Sequence, residues 1–286
     1  MKKILIIGSR GMAGHMIKSY LKKNNKYVVE DVARQANESD NQVSYNFDVY
    51  DTFKLASLIC NSNYDVVINC VGSLNRDAEE NPDKAIFLNS YLPHFLAAQC
   101  KSVNSRLIHI STDCVFSGKR GGYLESDQKD GLGVYAQSKA LGEVTYDAHL
   151  TFRTSIIGPE LKDGIGLLHW FLKQKDSVKG YSKAFWTGVT TLELAKAIET
   201  AIDQKLTGLY HLVYPEKISK YDLLILFNEV FKTNLRIEKD DVYAVDKSLI
   251  NNRKDFNYKV RSYKEMMAEL LDWMKMNAAM YTHYTY

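Results

Sequence analysis

No stretch of this chain comes near the roughly 20 consecutive apolar residues needed to span a bilayer, which excludes a membrane helix. Met1-Lys-Lys runs into Ile4-Leu-Ile-Ile7, and Gly8 ends that apolar run at once. The segment is too short for a signal peptide and reads as a buried strand. Net charge is equally sparse: a formal +3, with no basic stripe or arm, gives no footprint for nucleic acid. The four cysteines, Cys60, Cys70, Cys100 and Cys114, are scattered without paired spacing. That excludes a disulfide framework, a zinc site and a redox dithiol, and it fits a reducing compartment. There is no repeat and no low-complexity tract. These absences point to a soluble, cytoplasmic protein without a metal, a membrane or a nucleic-acid partner.

What is present is length and rhythm. At 286 residues the chain exceeds the usual domain of roughly 100 to 200, so one large domain or one and a half is expected. Strand-like and helix-like segments alternate through residues 1–155. The strands are 4–7, 27–32, 65–70, 107–111 and 151–155; the helices are 12–23, 51–60, 82–101 and 134–147. Alternation of this kind predicts an α/β fold, a Rossmann-type doubly wound parallel sheet, and continuous apolar strands mean that both faces are covered. Beyond Ser155 the rhythm loosens. Helices are expected at 167–175, 191–204, 221–231 and 263–276, a strand at 208–213, and a loop carrying two aromatics at 180–188. Residues 156–286 therefore read as a smaller, mainly substrate-binding lobe. It adds pieces around the first sheet rather than a second sheet, and some segments return to the first domain. The aromatic tail Met280-Tyr-Thr-His-Tyr-Thr-Tyr286 reads as a loose end.

Gly8-Ser-Arg-Gly11-Met-Ala-Gly14 follows a strand and opens a helix, the context that gives a glycine fingerprint meaning. Gly8 permits the tight turn, Gly11 lets the backbone approach a pyrophosphate, and Gly14 lets helix and strand pack closely. The phosphate would sit on the helix N-terminus, where free amides favour an anion. Two residues rather than one separate the first glycines, a spacing typical of extended short-chain dehydrogenases. An acid at the end of the second strand would select NADH, and a base would favour the phosphate of NADPH. Glu30 and Asp31 lie within that strand, Arg34 just beyond it and Arg10 inside the turn. Two guanidiniums suit a 2′-phosphate, so the reading leans to NADPH and leaves NADH open.

Tyr135-Ala-Gln-Ser-Lys139 lies 23 residues after Thr112. Residues four apart share a helix face, so Tyr135 and Lys139 point the same way. A free phenol titrates near pH ~10, and a fixed cation beside it eases proton exchange at neutral pH. Thr112 ends a strand, at the edge of the sheet where ligands bind in this architecture. Carbonyl reduction uses such a set: Thr112 and Tyr135 stabilise charge growing on the substrate oxygen, Tyr135 gives the proton, and Lys139 holds the nicotinamide ribose and lowers the tyrosine pKa.

Residues Gly8 to Gly14, Cys70-Val-Gly72, Leu88-Asn89, Ser111-Thr-Asp113, Val115-Phe116, Tyr135 to Lys139, Phe152-Arg-Thr-Ser155 and Tyr210-His-Leu-Val213 resemble the dTDP-4-dehydrorhamnose reductase family in order, over nearly the whole chain. The Ser-Thr-Asp-Cys-Val-Phe-Ser-Gly stretch and Trp186 to Leu194 look like the subgroup that acts on UDP-linked 2-acetamido-4-keto-6-deoxyhexoses. The resemblance implies reduction of the 4-keto group of a dTDP- or UDP-linked 4-keto-6-deoxyhexose, in the biosynthesis of bacterial surface polysaccharide. It implies that Gly11, Met12, Ala13, Asp48, Val49, Cys70, Val71 and Gly72 line the cofactor, and that Thr112 and Asp113 touch the sugar. Asn89 matches a structural asparagine near the site. Lys247, Arg253 and Lys254 are candidates for the nucleotide diphosphate, and Phe185 and Trp186 either stack on the base or fill core.

Two positions depart from the pattern: Ile156 stands where a tryptophan is usual, and Cys114 where an aromatic is usual. Both lie where sugar selectivity is expected. Dehydratases of the same superfamily place a glutamate at the position of Cys114, so Cys114 argues against dehydration. A cysteine there serves as acid or base in fucose-type epimerase-reductases, and that role for Cys114 stays open, with His169 the one histidine considered as its activator. A regulatory subunit that binds cofactor without turnover is the reading from another class. Whether the chain pairs as a homodimer is left open.

Overall fold

The computed structural model describes residues 1–34, 44–162 and 164–284. Its centre is a seven-stranded sheet built from β1 (Lys2–Ile7), β2 (Tyr27–Ala33), β3 (Tyr45–Asn46), β4 (Val66–Asn69), β5 (Arg106–Thr112), β6 (Leu150–Thr154) and the strand Gly208–His211. Their order across the sheet is Gly208–His211, β6, β5, β4, β1, β2, β3, and every pairing is parallel. The fold is thus an α/β Rossmann-type doubly wound sheet. Along β1 the side chains alternate between faces: Ile4 and Ile6 enter one core cluster with Met16 and Ile198, while Leu5 and Ile7 enter another with Leu55 and Leu96. Both faces are buried, which is why these strands read as unbroken apolar runs. Strand order reverses between β1 and β4, and the crevice above their carboxyl ends is where such sheets bind ligands.

The second half of the chain is divided between two tasks. Helix Thr191–Gln204 packs on helix Met12–Lys22, and Gly208–His211 extends the large sheet beside β6. The remainder forms its own three-stranded sheet, in which Ser177–Trp186 pairs with Ile218–Ser219 and with Arg236–Asp246. This corrects two expectations, the loop at 180–188 and the lack of a second sheet. Ser177–Trp186 alternates buried and exposed positions, but Lys179, Gly180 and Lys183 dilute the pattern; Arg236–Asp246 is charged and mostly exposed, so it has no apolar face to recognise.

Helical cover over 82–102 is also less regular than expected. Pro82–Ala85 passes into a π-helical stretch, Ile86–Tyr91, before Leu92–Ser102 resumes the α-helix. The helix carrying Tyr135 and Lys139 runs over Val134–Leu141 and stops at Gly142, shorter than the 134–147 expected. The aromatic tail is docked through Tyr284 rather than loose: Tyr281 is buried, and its hydroxyl meets His15 Nε2 at 3.0 Å. Residues 285 and 286 lie outside the described part. Among the described residues no helix is long and apolar enough to cross a membrane.

Candidate active site

The glycine turn opens one wall of a cavity of about 420 Å³. Gly8 has φ of 84°, in the left-handed region that favours glycine, and its N–H donates to the Val32 carbonyl at 3.0 Å. A Cβ on Gly14 would sit 2.2 Å from the Gly8 carbonyl oxygen, so only glycine lets this helix approach the strand so closely. Gly8, Arg10, Gly11, Met12, Arg34, Asp48, Val49, Cys70, Val71 and Gly72 all line the cavity. Ala13 and Gly14 stand behind the turn, buried in the core instead. Sequence reasoning missed Tyr50, Lys84 and Glu160, which complete the rim. Tyr50 announces itself only in space, where its ring stacks on Phe87 at 4.4 Å.

Charge at the end of β2 is now resolved. Asp31 is fully buried and held by Ser9 at 2.5 Å and Lys18 at 2.9 Å, and Glu30 is engaged by Lys3, Tyr45 and Tyr64. Neither acid faces the cavity. Arg10 and Arg34 do, with Arg34 3.7 Å from Asp48 across the rim.

At the carboxyl end of the sheet β5 delivers Thr112, whose hydroxyl donates to Asp113 Oδ1 at 3.1 Å and accepts from the Cys114 N–H at 3.1 Å. The helix bearing Tyr135 has a glycine at its N-cap and no capping side chain of its own. Glu79 supplies the cap from another helix, accepting from the Val134 and Tyr135 N–H groups at 3.1 Å each. Nothing in the sequence near residue 134 signals that partner. Asn89 is buried and bonds three ways: it accepts from Ser73 N–H and donates to the Ser73 carbonyl and the Ser138 hydroxyl. It ties the Gly72 turn to the Tyr135 helix from within the π-helical stretch, a type of irregularity common at functional sites.

Lys139 is buried with its Nζ on the Ile110 carbonyl at 2.8 Å. Burial lowers its pKa to about 8, against opposing pulls from Glu143 and Cys70. The Tyr135 phenol is raised above its ordinary value by burial and by Cys114, with a hydrogen bond from Thr112 opposing and Asp113 adding to the rise.

Two further cavities, each about 470 Å³, meet at Cys114 and Lys247. Tyr135 lines the first together with Ser117 and Lys119. The second is walled by Asp113, Trp170, Tyr181, Phe185, Trp186 and Tyr243, with Lys179 and Lys220 among them. Lys220 and Lys247 form no salt bridge among the described residues; both act on Asp113, whose carboxyl is pushed up by burial despite them. Lys220, which sequence reasoning missed, lies 5.3 Å from the Trp186 ring centroid. Burial and Asp113 push the Cys114 thiol up to about 11.

Ile156 is half-buried in a short strand paired with Val189, next to the cavity residue Ser155. Arg253 belongs elsewhere. Its guanidinium donates to the Thr207 and Leu209 carbonyls and pairs with Asp255, at the amino end of Gly208–His211 and away from the carboxyl ends that carry the site. Lys254 is exposed. His169 is bonded to the Tyr284 hydroxyl in the tail and is no partner for Cys114.

Comparison with known proteins matches residues 1–271 to the model of the RmlD substrate binding domain. The probable low-salt glycan biosynthesis reductase Agl14 of Haloferax volcanii is 28% identical, the match covering 76% of each chain. The dTDP-4-dehydrorhamnose reductase of Escherichia coli K12 is 26% identical over 85% of this chain and 83% of that one. Among solved structures, the dTDP-4-dehydrorhamnose reductase of Bacillus anthracis in complex with NADP superposes with a TM-score of 0.79 at 18% identity, covering 96% of this chain and 99% of that one, a likeness of fold. With this sheet, this glycine turn and a match over nearly its whole length, the chain belongs to the RmlD substrate binding domain family.

Proposed function

We propose that this protein is an NADPH-dependent reductase of the 4-keto group of a nucleotide-linked 4-keto-6-deoxyhexose, working in glycan biosynthesis. One observation supports the reading: a glycine-turned cavity is lined by Arg10 and Arg34, and the cavity that Tyr135 lines meets, at Cys114 and Lys247, an aromatic cavity lined by lysines. The residues of the first cavity fit a dinucleotide, with Gly8 and Gly11 at the pyrophosphate and Arg10 and Arg34 toward a 2′-phosphate. When bound, the cofactor supplies the hydride. Thr112 and Tyr135 then stabilise the oxygen that gains charge, and Tyr135 donates its proton to it. Lys139 orients the ribose. Lys179, Lys220 and Lys247 offer the diphosphate of the sugar nucleotide its counter-charge, while Phe185 and Trp186 offer the base an apolar wall. In this reading residues 1–155 carry the cofactor, and residues 156–286 mainly shape the sugar pocket. The names of the relatives support the same chemistry.

A thiol at about 11 beside a carboxylate is a poor base at neutral pH, so the reading is simple reduction rather than epimerisation followed by reduction. The test is incubation with dTDP- and UDP-linked 4-keto-6-deoxy sugars and NADPH, following NADPH absorbance and reading the product ring by NMR. Loss of absorbance with a 4-hydroxy product is expected, without deuterium from solvent at C3 or C5. Cofactor binding without oxidation across the whole panel would sink the proposal in favour of a regulatory subunit.

A further inference from the structure

A buried chain of polar groups runs behind the reacting centre. The Val71 N–H donates to Asn69 Oδ1 at 3.1 Å, which turns the other end of the Asn69 amide, Nδ2, toward His109 Nδ1 at 3.2 Å. An amide nitrogen only donates, so His109 Nδ1 must accept, and in a neutral imidazole the single proton then sits on Nε2. That Nε2 lies 3.4 Å from Lys139 Nζ. The N–H therefore faces the lysine. Against an ammonium this is donor against donor; against a neutral amine it meets a lone pair, while the amine still donates to the Ile110 carbonyl. His109 cannot escape by taking a second proton, because burial, then Lys139, then His94 hold it well below the ordinary histidine range.

We propose, on the reductase reading of this site, that His109 is a positioning residue: locked by Asn69 with its Nε2–H toward Lys139, it weakens the hold of Lys139 on its third proton and makes it a proton-exchanging group. The other groups facing Lys139 do not cancel this. Glu143, just past the end of the same helix, favours the charged amine, but Arg153 grips its carboxylate at 2.8 and 2.7 Å and Lys129 adds a contact at 3.1 Å. Cys70, from the end of β4, pulls the same way only as a thiolate, and burial keeps that thiol protonated up to about 12. Burial already lowers the Lys139 pKa to about 8, and the His109 N–H acts in the same direction as that burial.

The proposal is tested first by ¹⁵N NMR of the histidine rings in the protein without added ligand. His109 is expected neutral with its proton on Nε2 from pH 6 to 9; a proton on Nδ1 overturns the idea. Second, the Lys139 midpoint is read from the pH dependence of its acylation rate by acetic anhydride, located by peptide mass mapping. His109→Gln, whose carbonyl oxygen can turn to an ammonium, is expected to raise that midpoint by about one pH unit or more, a tenfold change in proton affinity. Asn69→Asp reverses the ring, because a carboxylate there accepts from Nδ1–H and leaves Nε2 to accept from Lys139; it also raises the midpoint. An unchanged or lowered midpoint in both variants overturns the proposal, since a purely structural His109 would give that result. Neither readout uses cofactor or substrate. A wild-type protein that oxidises no NADPH would remove the reductase reading, while the midpoint would still decide the role of His109.

Discussion

The polar groups around Tyr135 and those of the aromatic cavity are treated in opposite ways. Around Tyr135 almost every buried donor and acceptor is matched from within the chain: Asn89 to Ser73 and Ser138, Glu79 to the helix amides, Asn69 through His109 to Lys139. Around Asp113 the charges do not balance, with three lysines lining the cavity against a single carboxylate whose own ionisation is disfavoured by burial. The first arrangement holds geometry before anything arrives, which is what transition-state stabilisation needs. The second has a surplus of positive charge, which is what the proposed sugar-nucleotide pocket would need to take up an anion.

Breaking the two halves separately should give separate signatures. The largest effect is expected from Tyr135→Phe, which should lower kcat at least a thousandfold and leave NADPH affinity nearly unchanged, measured by steady-state kinetics and fluorescence titration. Turnover near the wild-type level would remove the tyrosine from its role. Next comes the pre-matched side at low pH. His15 is buried neutral with its pKa lowered from 6.5 to about 4 by burial, so the unfolded chain takes up a proton that the folded chain refuses. The sign is therefore a stability full above pH 6.5 and lost progressively as pH falls toward 4, by about 3 kcal/mol. His15→Asn should flatten that part of the urea-unfolding profile.

On the unbalanced side, Lys220→Met should raise the KM for sugar nucleotide roughly 30-fold with kcat little changed. Thermal stability should stay the same or increase, since an incompletely paired buried charge is removed. A fall in stability would show that Lys220 serves the fold instead. The smallest effect is expected at the rim, where Arg10→Ala with Arg34→Ala should shift the NADPH to NADH preference about tenfold, as read from kcat/KM ratios.

Much of this was legible because local rules and global fold agree. The strand before Gly8 and the helix after it announce the turn. The spacing of Tyr135 and Lys139 announces a shared face. Continuous apolar strands announce a sheet covered on both sides. Legibility failed where the partner is remote or the pattern is weak. Glu79 caps a helix 55 residues away in sequence, and Lys220 reaches Asp113 from the far lobe. The solvent-facing strand Arg236–Asp246 has no apolar period to read. Arg253 failed for another reason: position along the chain suggested the diphosphate, but its guanidinium is consumed by backbone carbonyls at the wrong edge of the sheet.

The docked tail has a consequence for the order in which the fold can close. His15 Nδ1 donates to the Gly11 carbonyl at 3.0 Å, and its Nε2 accepts from the Tyr281 hydroxyl at the same distance, while Tyr284 accepts from the Glu160 N–H on the opposite rim. The helix that follows the glycine turn is therefore fastened by a side chain 266 positions further along the chain. The strand and helix around the glycine turn can form from local contacts, yet the mouth of that cavity is braced only when residues 281–284 have docked.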